Sequence, residues 1–460
     1  MFRKLADLSN AIVSRWLPDP FLFVALLTMV IFALGIAATP TTPLQMLEHW
    51  GGGFWNLLSF AMQMAMVLVT GHVLANTAPL KRVLSALAGS VKSASGAIVL
   101  VTVVALVASW INWGFGLVIG AIFAKELARR VPRVDYPLLI ASAYSGFVIW
   151  HAGLSGSVPL TIATSGHFLE KTMGLIPTGQ TIFAAYTLVP VAILLVLVPL
   201  VNRAMLNREH PVVIDPAILD EADRRAAEPV PVPHTPAERL ENSVWVSWVI
   251  GLLGLAYTVK YFVDKGAALN LNIVNFIFLF AGILLHGTPR RFIDATVDAV
   301  KGSAGILIQF PFYAGLAGMM AGSGLIQFPF YAGLAGMMAG SGLIKMFSDG
   351  FIAIATPETL PLFAFLSAGL VNIFVPSGGG QWAVQGPIMV QAAQEIGASL
   401  PKTVMGVAWG DAWTNLIQPF WALPALGIAG LKARDIMGYC LIVLFVVGAV
   451  VGLSLWLIPG

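Results

Sequence analysis

The sequence predicts an all-α polytopic membrane protein made of two inverted repeats, each with a re-entrant hairpin and a broken helix. Three observations support this prediction. The 460 residues are 58% hydrophobic and only 10% charged, with a mean hydropathy of +0.86. Apolar runs of roughly 18 residues or more, long enough to cross a bilayer, recur along the chain. Several runs are interrupted by glycine, proline or asparagine, which is typical of backbone that breaks inside a membrane.

The composition also excludes several functional classes. A formal charge of +3 and a pI near 8.9 would suit nucleic-acid binding, but the basic residues lie between the apolar runs, where membrane topology explains them. We therefore predict a lipid bilayer, and no nucleic acid, as the partner. The single cysteine, Cys440, excludes an intrachain disulfide and a multi-cysteine metal site. No cofactor is predicted.

The apolar runs define the spans. The first run follows three basic residues like a signal peptide, but it is long enough to span and other spans follow, so we interpret it as an uncleaved helix. Uninterrupted spans are predicted at 21–38, 54–76, 180–201, 243–262, 271–286 and 436–457. Interrupted apolar regions lie at 96–124, 136–165, 362–394 and 403–430. We expect 96–124 and 362–394 to be re-entrant hairpins and the other two regions to be broken spans.

The distribution of lysine and arginine predicts the orientation. If both hairpins return to the side they left, one side of the membrane collects 20 of the 25 Lys and Arg residues. The other side holds Lys171, Lys260, Lys265, Lys345 and Lys402. Because positive charge concentrates in cytoplasmic loops, the N-terminus is predicted to be cytoplasmic and the C-terminus external. The membrane is predicted to be the bacterial inner membrane.

The same order of elements occurs twice. A span, a hairpin, a broken span and a final span follow one another within residues 1–202 and again within residues 242–460. The first hairpin enters from the cytoplasm and the second from outside, so the halves are predicted to be inverted repeats. Residues 203–241 are charged and proline-rich, and they are predicted to be a cytoplasmic linker.

The C-terminal half contains a perfect tandem duplication. Residues 307–324 and 325–342 are identical, and both lie within the predicted span region 303–345. Eighteen helical residues add about 27 Å, nearly one membrane thickness. If both copies crossed the membrane, everything downstream would be inverted. We therefore expect one copy to form the span and the other to be a short re-entrant, interfacial or extended element.

The interruptions in the hairpins form the predicted substrate site. Pro376 is followed by Ser-Gly-Gly-Gly-Gln, which places backbone N–H groups, a hydroxyl and an amide before a half-helix, and half-helix N-termini bind anions. Trp113 and Trp382 are predicted apolar walls. The predicted substrate-binding residues are Asn112, Gly114, Gly116, Asn372, Ser377, Gly378, Gly379, Gly380 and Gln381. Neither hairpin contains lysine or arginine, which suits a monoanion but also permits a neutral solute.

Asp411 is the single carboxylate inside the interrupted spans. Thr414 and Asn415 follow it at i+3 and i+4, on one helical face. An acid at this depth is costly unless it pairs, protonates or coordinates a cation, so the three residues form the predicted coupling site. The cation is H⁺, or Na⁺ bound at Asp411 and Asn415, and the sequence does not decide between them. His151, in the matching broken span, is a minor candidate. The alternative for Asp411 is a structural hydrogen bond between helices.

Four long motifs resemble one known family. They are WLPDPFLFVALLT near the N-terminus, SWINWGFGLVIGAIFAKELA in the first hairpin, VNIFVPSGGGQWAVQGPIM in the second and GDAWTNLIQPFWALPALGIAG in the last broken span. The chain resembles the bacterial short-chain fatty acid transporter family, part of a larger ion-transporter superfamily, over essentially its whole length. The second copy at 325–342 is absent from the family pattern.

The resemblance implies an elevator-type fold, in which a mobile transport domain moves against a scaffold domain in an often dimeric protein. It also implies small monocarboxylate substrates such as acetoacetate and butyrate. We therefore predict a secondary carrier and no enzyme. The nearest alternative is a dicarboxylate or amino-acid carrier on the same architecture. A channel is more remote, and so is an intramembrane enzyme, because the sequence has no paired catalytic carboxylates, metal-ligand cluster or nucleophile elbow.

Overall fold

The computed structural model describes residues 20–131, 133–206, 211–219, 234–323, 355–373, 377–418 and 421–460. Every regular element in these ranges is a helix, so the predicted all-α class is confirmed. Six helical stretches in these ranges are long and apolar enough to cross a membrane, and one of them, Tyr136–Ile162, contains a break near residue 150.

In the first half, the broken region near residue 150 divides into two helices separated by a 3₁₀ turn, Gly146–Ala152. The helices of this half are α1 Pro20–Ala38, α2 Pro43–Gly53, α3 Leu58–Ala75, α4 Ala78–Gly89, α5 Ala94–Ile111, α6 Trp113–Arg130, α7 Tyr136–Ser145, α8 Ser157–Ile162, α9 Glu170–Met173 and α10 Ala185–Ala204.

In the second half, the last interrupted region likewise divides into two helices. The helices of this half are α11 Pro236–Glu241, α12 Val244–Lys265, α13 Leu271–His286, α14 Pro289–Val300, α15 Ala304–Gly322, α16 Leu360–Asn372, α17 Gly378–Ile396, α18 Leu400–Thr414, α19 Ala422–Ala429 and α20 Ala433–Leu457. Gly397 and Gly430 end α17 and α19 with φ of 70° and 68°, a left-handed conformation that glycine adopts without steric cost.

The two halves repeat one pattern of helix contacts. In the first half α5 packs against α6 and α7, and α3 packs against α6. In the second half α16 packs against α17 and α18, and α15 packs against α17. The last helices, α10 and α20, contact each other and the first arm of their own hairpin. The helices around the two predicted hairpins therefore make contacts with corresponding partners in both halves.

The contact between α16 and α18 depends on glycine. A Cβ at Gly406 would collide with the carbonyl oxygen of Pro361, and a Cβ at Gly410 would collide with that of Phe365. These two glycines are one helical turn apart, which is the small-residue spacing that lets membrane helices approach closely. This close approach places Asp411, the residue after Gly410, directly beside the second hairpin.

The tandem duplication is only partly described. Residues 307–322 of the first copy form most of α15, which packs against α1, α2 and α3. Gly318 of this copy lies against Gly53 so closely that its Cβ position is 2.8 Å from the Gly53 Cα. The second copy lies outside the described residues, so its predicted short re-entrant, interfacial or extended form stays a prediction.

Part of the predicted linker packs on the helical body. The Val212 carbonyl accepts a hydrogen bond of 2.7 Å from the N–H of Tyr136, and Ile218 lies against Gly430. The segment 211–219 therefore lies at the start of α7 and the end of α19. Residues 207–210 and 220–233 are outside the described part of the chain.

Candidate functional site

The tips of the two hairpins have the same local structure. Asn112 is a single extended residue between α5 and α6, with φ −154° and ψ 126°, and its Oδ1 accepts a hydrogen bond of 2.9 Å from Phe115 N. Ser377 precedes α17 with φ −155° and ψ 103°, and its Oγ accepts a hydrogen bond of 3.3 Å from Gly380 N. Each side chain caps the third N–H of the helix that follows it. The predicted hairpin interruptions are thus equivalent N-caps.

Capping leaves the earliest N–H groups of each helix for other partners. At the start of α6, Trp113 N donates to Ser155 Oγ at 2.9 Å. At the start of α17, the N–H groups of Gly378 and Gly379 have no acceptor among the residues that the structure describes. Unpaired N–H groups at a helix start, together with the helix dipole, form a favourable environment for an anion.

The second hairpin tip packs directly on the broken span of the first half. A Cβ at Gly378 would collide with the His151 ring, 2.6 Å from Nε2, and would lie 2.8 Å from Ser157 Oγ. Since the first tip binds Ser155 through Trp113 N, both tips contact the short segment between Ser155 and Ser157. No local pattern in the sequence indicates that the two tips meet at this segment.

Helix α3 also contacts both tips, at different heights. The Cβ position of Gly114 is 2.9 Å from the Leu68 Cα, whereas that of Gly379 is 2.6 Å from Cε1 of the Phe60 ring. The eight residues between Leu68 and Phe60 correspond to about 12 Å along the helix axis. The first tip therefore contacts α3 near its middle, and the second tip contacts it near its start.

Asp411 and His151 are both fully buried and adjacent. Nδ1 of His151 lies 2.7 Å from the Ala408 carbonyl oxygen and 3.3 Å from Oδ2 of Asp411. Because a carbonyl oxygen can only accept a hydrogen bond, Nδ1 of His151 carries the proton. In the neutral imidazole Nε2 is therefore an acceptor, and Ser157 Oγ donates to it at 2.7 Å. Apart from the Nδ1 contact, neither carboxyl oxygen of Asp411 has a hydrogen-bond partner among the described residues. A carboxylate in this position needs a proton or a cation, because an uncompensated buried charge costs several kcal/mol.

The side chains of Asn372 and Gln381 are oriented by α16 and α18. Asn372 Nδ2 donates to the Asp411 carbonyl oxygen and to Thr414 Oγ1, each at 2.9 Å. Gln381 Nε2 donates to the Ala368 carbonyl oxygen at 2.9 Å. Because these acceptors fix which end of each amide is NH₂, the side-chain oxygens of Asn372 and Gln381 are left without a partner among the described residues.

The side-chain amide of Asn415 differs from those of Asn372 and Gln381, because its oxygen is bonded and its NH₂ group is not. Its Oδ1 accepts a hydrogen bond of 3.0 Å from Trp150 Nε1, a residue 265 positions away in the sequence. The Asn415 Nδ2 group has no partner among the described residues. Asn112 is similar, since its Oδ1 caps α6 and its buried Nδ2 is unpaired within the described structure. Asn415 therefore offers a donor to a ligand, whereas a role as a cation ligand requires its oxygen.

Among the residues predicted to bind substrate or cation, the unpaired polar atoms are of two chemical kinds. The oxygens of Asp411, Asn372 and Gln381 are acceptors, which suit a cation or a proton. The Nδ2 groups of Asn112 and Asn415 are donors, which suit an anion. All five residues are at most 1% exposed. In the described part of the chain, no group of three or more His, Cys, Asp and Glu residues could hold a metal ion, so a bound cation would depend on neutral oxygens as well as Asp411.

Several predicted residues occupy packing positions. Gly116 lies against Ser109 of the opposite hairpin arm, and Gly114 lies against α3. The predicted walls also pack internally, because Trp113 lies between Trp150 and Trp421, with ring centroids 5.9 and 5.2 Å away. Trp382 is fully buried against its own helix at Gly386.

The comparisons with known proteins assign the family. The model of the family described as "Short chain fatty acid transporter" matches residues 1–326 and 321–458. The chain belongs to the short-chain fatty acid transporter family. Each of the two matches contains one copy of the 18-residue duplication, as expected if the family pattern has room for one copy. The transporter is a multi-pass membrane protein.

Relatives cover the whole chain. A protein of Escherichia coli K12, provisionally named a short-chain fatty acid transporter, is 47% identical over 460 residues, which is 99% of this chain and 100% of the relative. A protein of Haemophilus influenzae with the same provisional name is 42% identical over 96% of both chains. The crystal structure of the Alcanivorax borkumensis YdaH transporter matches with a TM-score of 0.58 and 17% identity, over 95% of this chain and 98% of that one. The last match supports the fold alone.

Proposed function

We propose that the protein is a cation-coupled secondary carrier of short-chain monocarboxylates such as butyrate and acetoacetate. The observation that supports it is the sorting of buried unpaired atoms at the hairpin tips into a donor set and an oxygen set. The N–H groups of Gly378 and Gly379 suit one carboxylate, and the Nδ2 groups of Asn112 and Asn415 are further donors near the hairpin tips. The oxygen set around Asp411 suits one proton or one Na⁺. Because the hairpins contain no lysine or arginine, a second substrate charge would have no cation to balance it.

The proposed transport cycle couples the two sets through their shared helices. Asn372 bonds the backbone of Asp411, so binding of a cation at Asp411 stabilises the end of α16 at the second hairpin. The carboxylate then binds at the start of α17 with the hairpin tip in place. Loss of the cation leaves a buried charge on Asp411 and loosens the same tip, which links release of the two ligands.

The proposed topology places the two hairpins as inverted, re-entrant repeats in the bacterial inner membrane, with the N-terminus cytoplasmic and the C-terminus external. Two clusters support it. A cavity of about 380 Å³ is lined by Lys81, Lys125 and Arg129, all assigned to the cytoplasmic side by charge counting. Lys402, assigned to the external side, donates to the Ile458 carbonyl near the C-terminus at 2.6 Å. Helix α5 has 18 residues, so it is about 27 Å long, nearly the thickness of the membrane core. A re-entrant first hairpin therefore requires α5 to be strongly inclined to the membrane normal.

We also propose elevator-type movement and a homodimer for this transporter. In this arrangement the hairpins and broken helices form the transport domain, and the remaining long helices contribute the scaffold. Helix α12 supports a role at the lipid or dimer boundary, because only 17% of its most apolar window is buried.

Uptake into proteoliposomes tests the proposed function. Purified protein should accumulate labelled butyrate with saturable kinetics when a proton or a sodium gradient is imposed, and the gradient that drives accumulation identifies the ion. Excess acetoacetate should compete, whereas succinate and arginine should not. Competition by succinate or arginine without butyrate uptake would favour the dicarboxylate or amino-acid carrier. Flux without accumulation would favour a channel.

An Asn415→Asp variant tests the assignment of donors and acceptors. The substitution keeps the oxygen that accepts from Trp150 Nε1 and replaces the unpaired NH₂ by a carboxylate oxygen. If Asn415 faces the substrate carboxylate, repulsion should raise the KM for butyrate by about 10-fold or more, since losing a hydrogen bond to a charged group costs about 1.5–3 kcal/mol. If Asn415 binds the cation, the added charge should lower the concentration of cation needed for uptake. An unchanged KM together with tighter cation binding contradicts the proposed role.

A further inference from the structure

An aromatic cluster covers the tip of the second hairpin. The Phe60 ring lies against Gly379, with Cζ and Cε1 at 2.5 and 2.6 Å from the glycine's Cβ position, and Phe310 Cε1 lies 3.4 Å from the same point. Tyr313 lies against Gly380 at 3.0 Å. The ring centroids of Phe60 and Phe310 are 5.5 Å apart at 62°, and those of Phe310 and Tyr313 are 6.1 Å apart at 90°. We call Phe60, Phe310 and Tyr313 the aromatic cover.

A polar cavity lies on the other side of Phe60. Its volume is about 150 Å³, and Phe60 and Phe168 line it together with Ser59, Gln63, Thr161 and Thr164. The Phe60 and Phe168 rings are 6.0 Å apart in an edge-to-face arrangement. Thr164 Oγ1 accepts from Leu271 N at 3.2 Å, at the start of a helix whose first residue is predicted to be external. Phe60 therefore separates the hairpin amides from a polar cavity on the predicted external side.

We propose that Phe60 determines the acyl-chain length that the transporter accepts. The inference rests on the proposed function, because it takes the carboxylate to bind at the Gly378 and Gly379 amides. The carbon chain of such a ligand extends away from the amides, and the buried apolar surface next to Gly379 is the Phe60 ring, which is 7% exposed. Because the ring contacts Gly379 directly, a carboxylate at these amides moves the ring aside, and a short chain requires only a small movement. A longer chain meets the ring, and one poorly fitting methylene in a closed apolar pocket typically changes specificity by about 10-fold or more.

Removing the Phe60 ring should therefore shift the preference of the transporter towards substrates with longer acyl chains. The measurement is the ratio of hexanoate uptake to butyrate uptake, each as kcat/KM, in the same proteoliposome preparation, so that the amount of folded protein cancels. Phe60→Ala should raise this ratio about 10-fold or more, and Phe60→Trp should lower it and shift preference toward propionate. If Phe60→Ala does not fold, Phe60→Leu carries the same test with a smaller increase.

Helix α15 provides a matched control. Phe310 faces Phe60, whereas Phe312, two residues later, packs against Phe21 and Phe54 with both ring centroids at 5.3 Å. Phe310→Ala should raise the hexanoate-to-butyrate ratio, and Phe312→Ala should leave it unchanged.

The outcomes separate this inference from the proposed function. If the wild-type protein does not transport butyrate, the proposed function itself is wrong. A wild-type protein that transports butyrate, with the same chain-length ratio in the Phe60 and Phe310 variants, overturns the role of Phe60 and leaves the carrier intact. An equal change in Phe312→Ala would also overturn it, because the effect would then be general loosening of α15.

Discussion

Asp411→Asn is expected to abolish concentrative uptake of butyrate while exchange of internal for external butyrate continues. The substitution preserves the shape of the side chain but removes the group that takes a proton or shares a cation. Coupling between two ligands is typically worth about 1–3 kcal/mol, or about 5- to 150-fold in affinity, and the stimulation of butyrate binding by the driving ion should fall by a factor in this range. Accumulation under an imposed gradient and counterflow without a gradient measure the two activities in one preparation.

The control for this variant is Asp264→Asn. Asp264 lies at the end of α12, where it accepts from Lys260 at 2.5 Å, and its side chain is half exposed. Its neutralisation should leave accumulation and exchange at wild-type levels. Normal accumulation by Asp411→Asn would assign Asp411 to a structural hydrogen bond between helices.

The second large effect, a loss of butyrate affinity, is expected from Gly378→Ala. The added methyl group would lie 2.6 Å from His151 Nε2 and 2.8 Å from Ser157 Oγ, so the hairpin tip must move away from the broken span. Overpacking a closed site typically costs about 1–3 kcal/mol, and butyrate affinity should fall by the corresponding factor of about 5 to 150. Equilibrium binding of labelled butyrate to the purified protein measures the loss.

Gly427→Ala is the matched control for the added methyl group. Gly427 lies within α19, and no atom lies within 4 Å of its Cβ position. Alanine favours helix more than glycine does, so this variant should bind butyrate normally and be at least as stable. Normal binding by Gly378→Ala would show that the contact between the tip and His151 does not position the substrate site.

The sequence predicted the hairpin interruptions because capping residues and glycines leave a local signal. Asn112 and Ser377 each stand at the end of an apolar run and before a glycine-containing segment, and both are N-caps in the structure. The helical class and most of the helix positions are predictable for the same reason, since apolar run length and helix-breaking residues are properties of short segments.

The sequence could not predict which atom of a buried side-chain amide is left without a partner. Whether Asn415 presents an oxygen or an NH₂ group is decided by Trp150, which is 265 positions away, and no local pattern records such a contact. The aromatic cover is similar, because Phe60 appears in the sequence as an ordinary apolar residue at the start of a span. Its role depends on contact with Gly379 in the other half. Pairings between distant segments are the part of the site that only the fold provides.

The most direct test of the account is the position of a bound substrate analogue. In crystals of the protein with 4-bromobutyrate, the anomalous signal of bromine locates the end of the acyl chain. We predict a peak beside Phe60, with the carboxylate at the Gly378 and Gly379 amides between the two hairpin tips. A peak only in the basic cavity near Lys81 and Arg129, or only at the lipid-facing surface, would contradict the proposal that the hairpin tips hold the substrate.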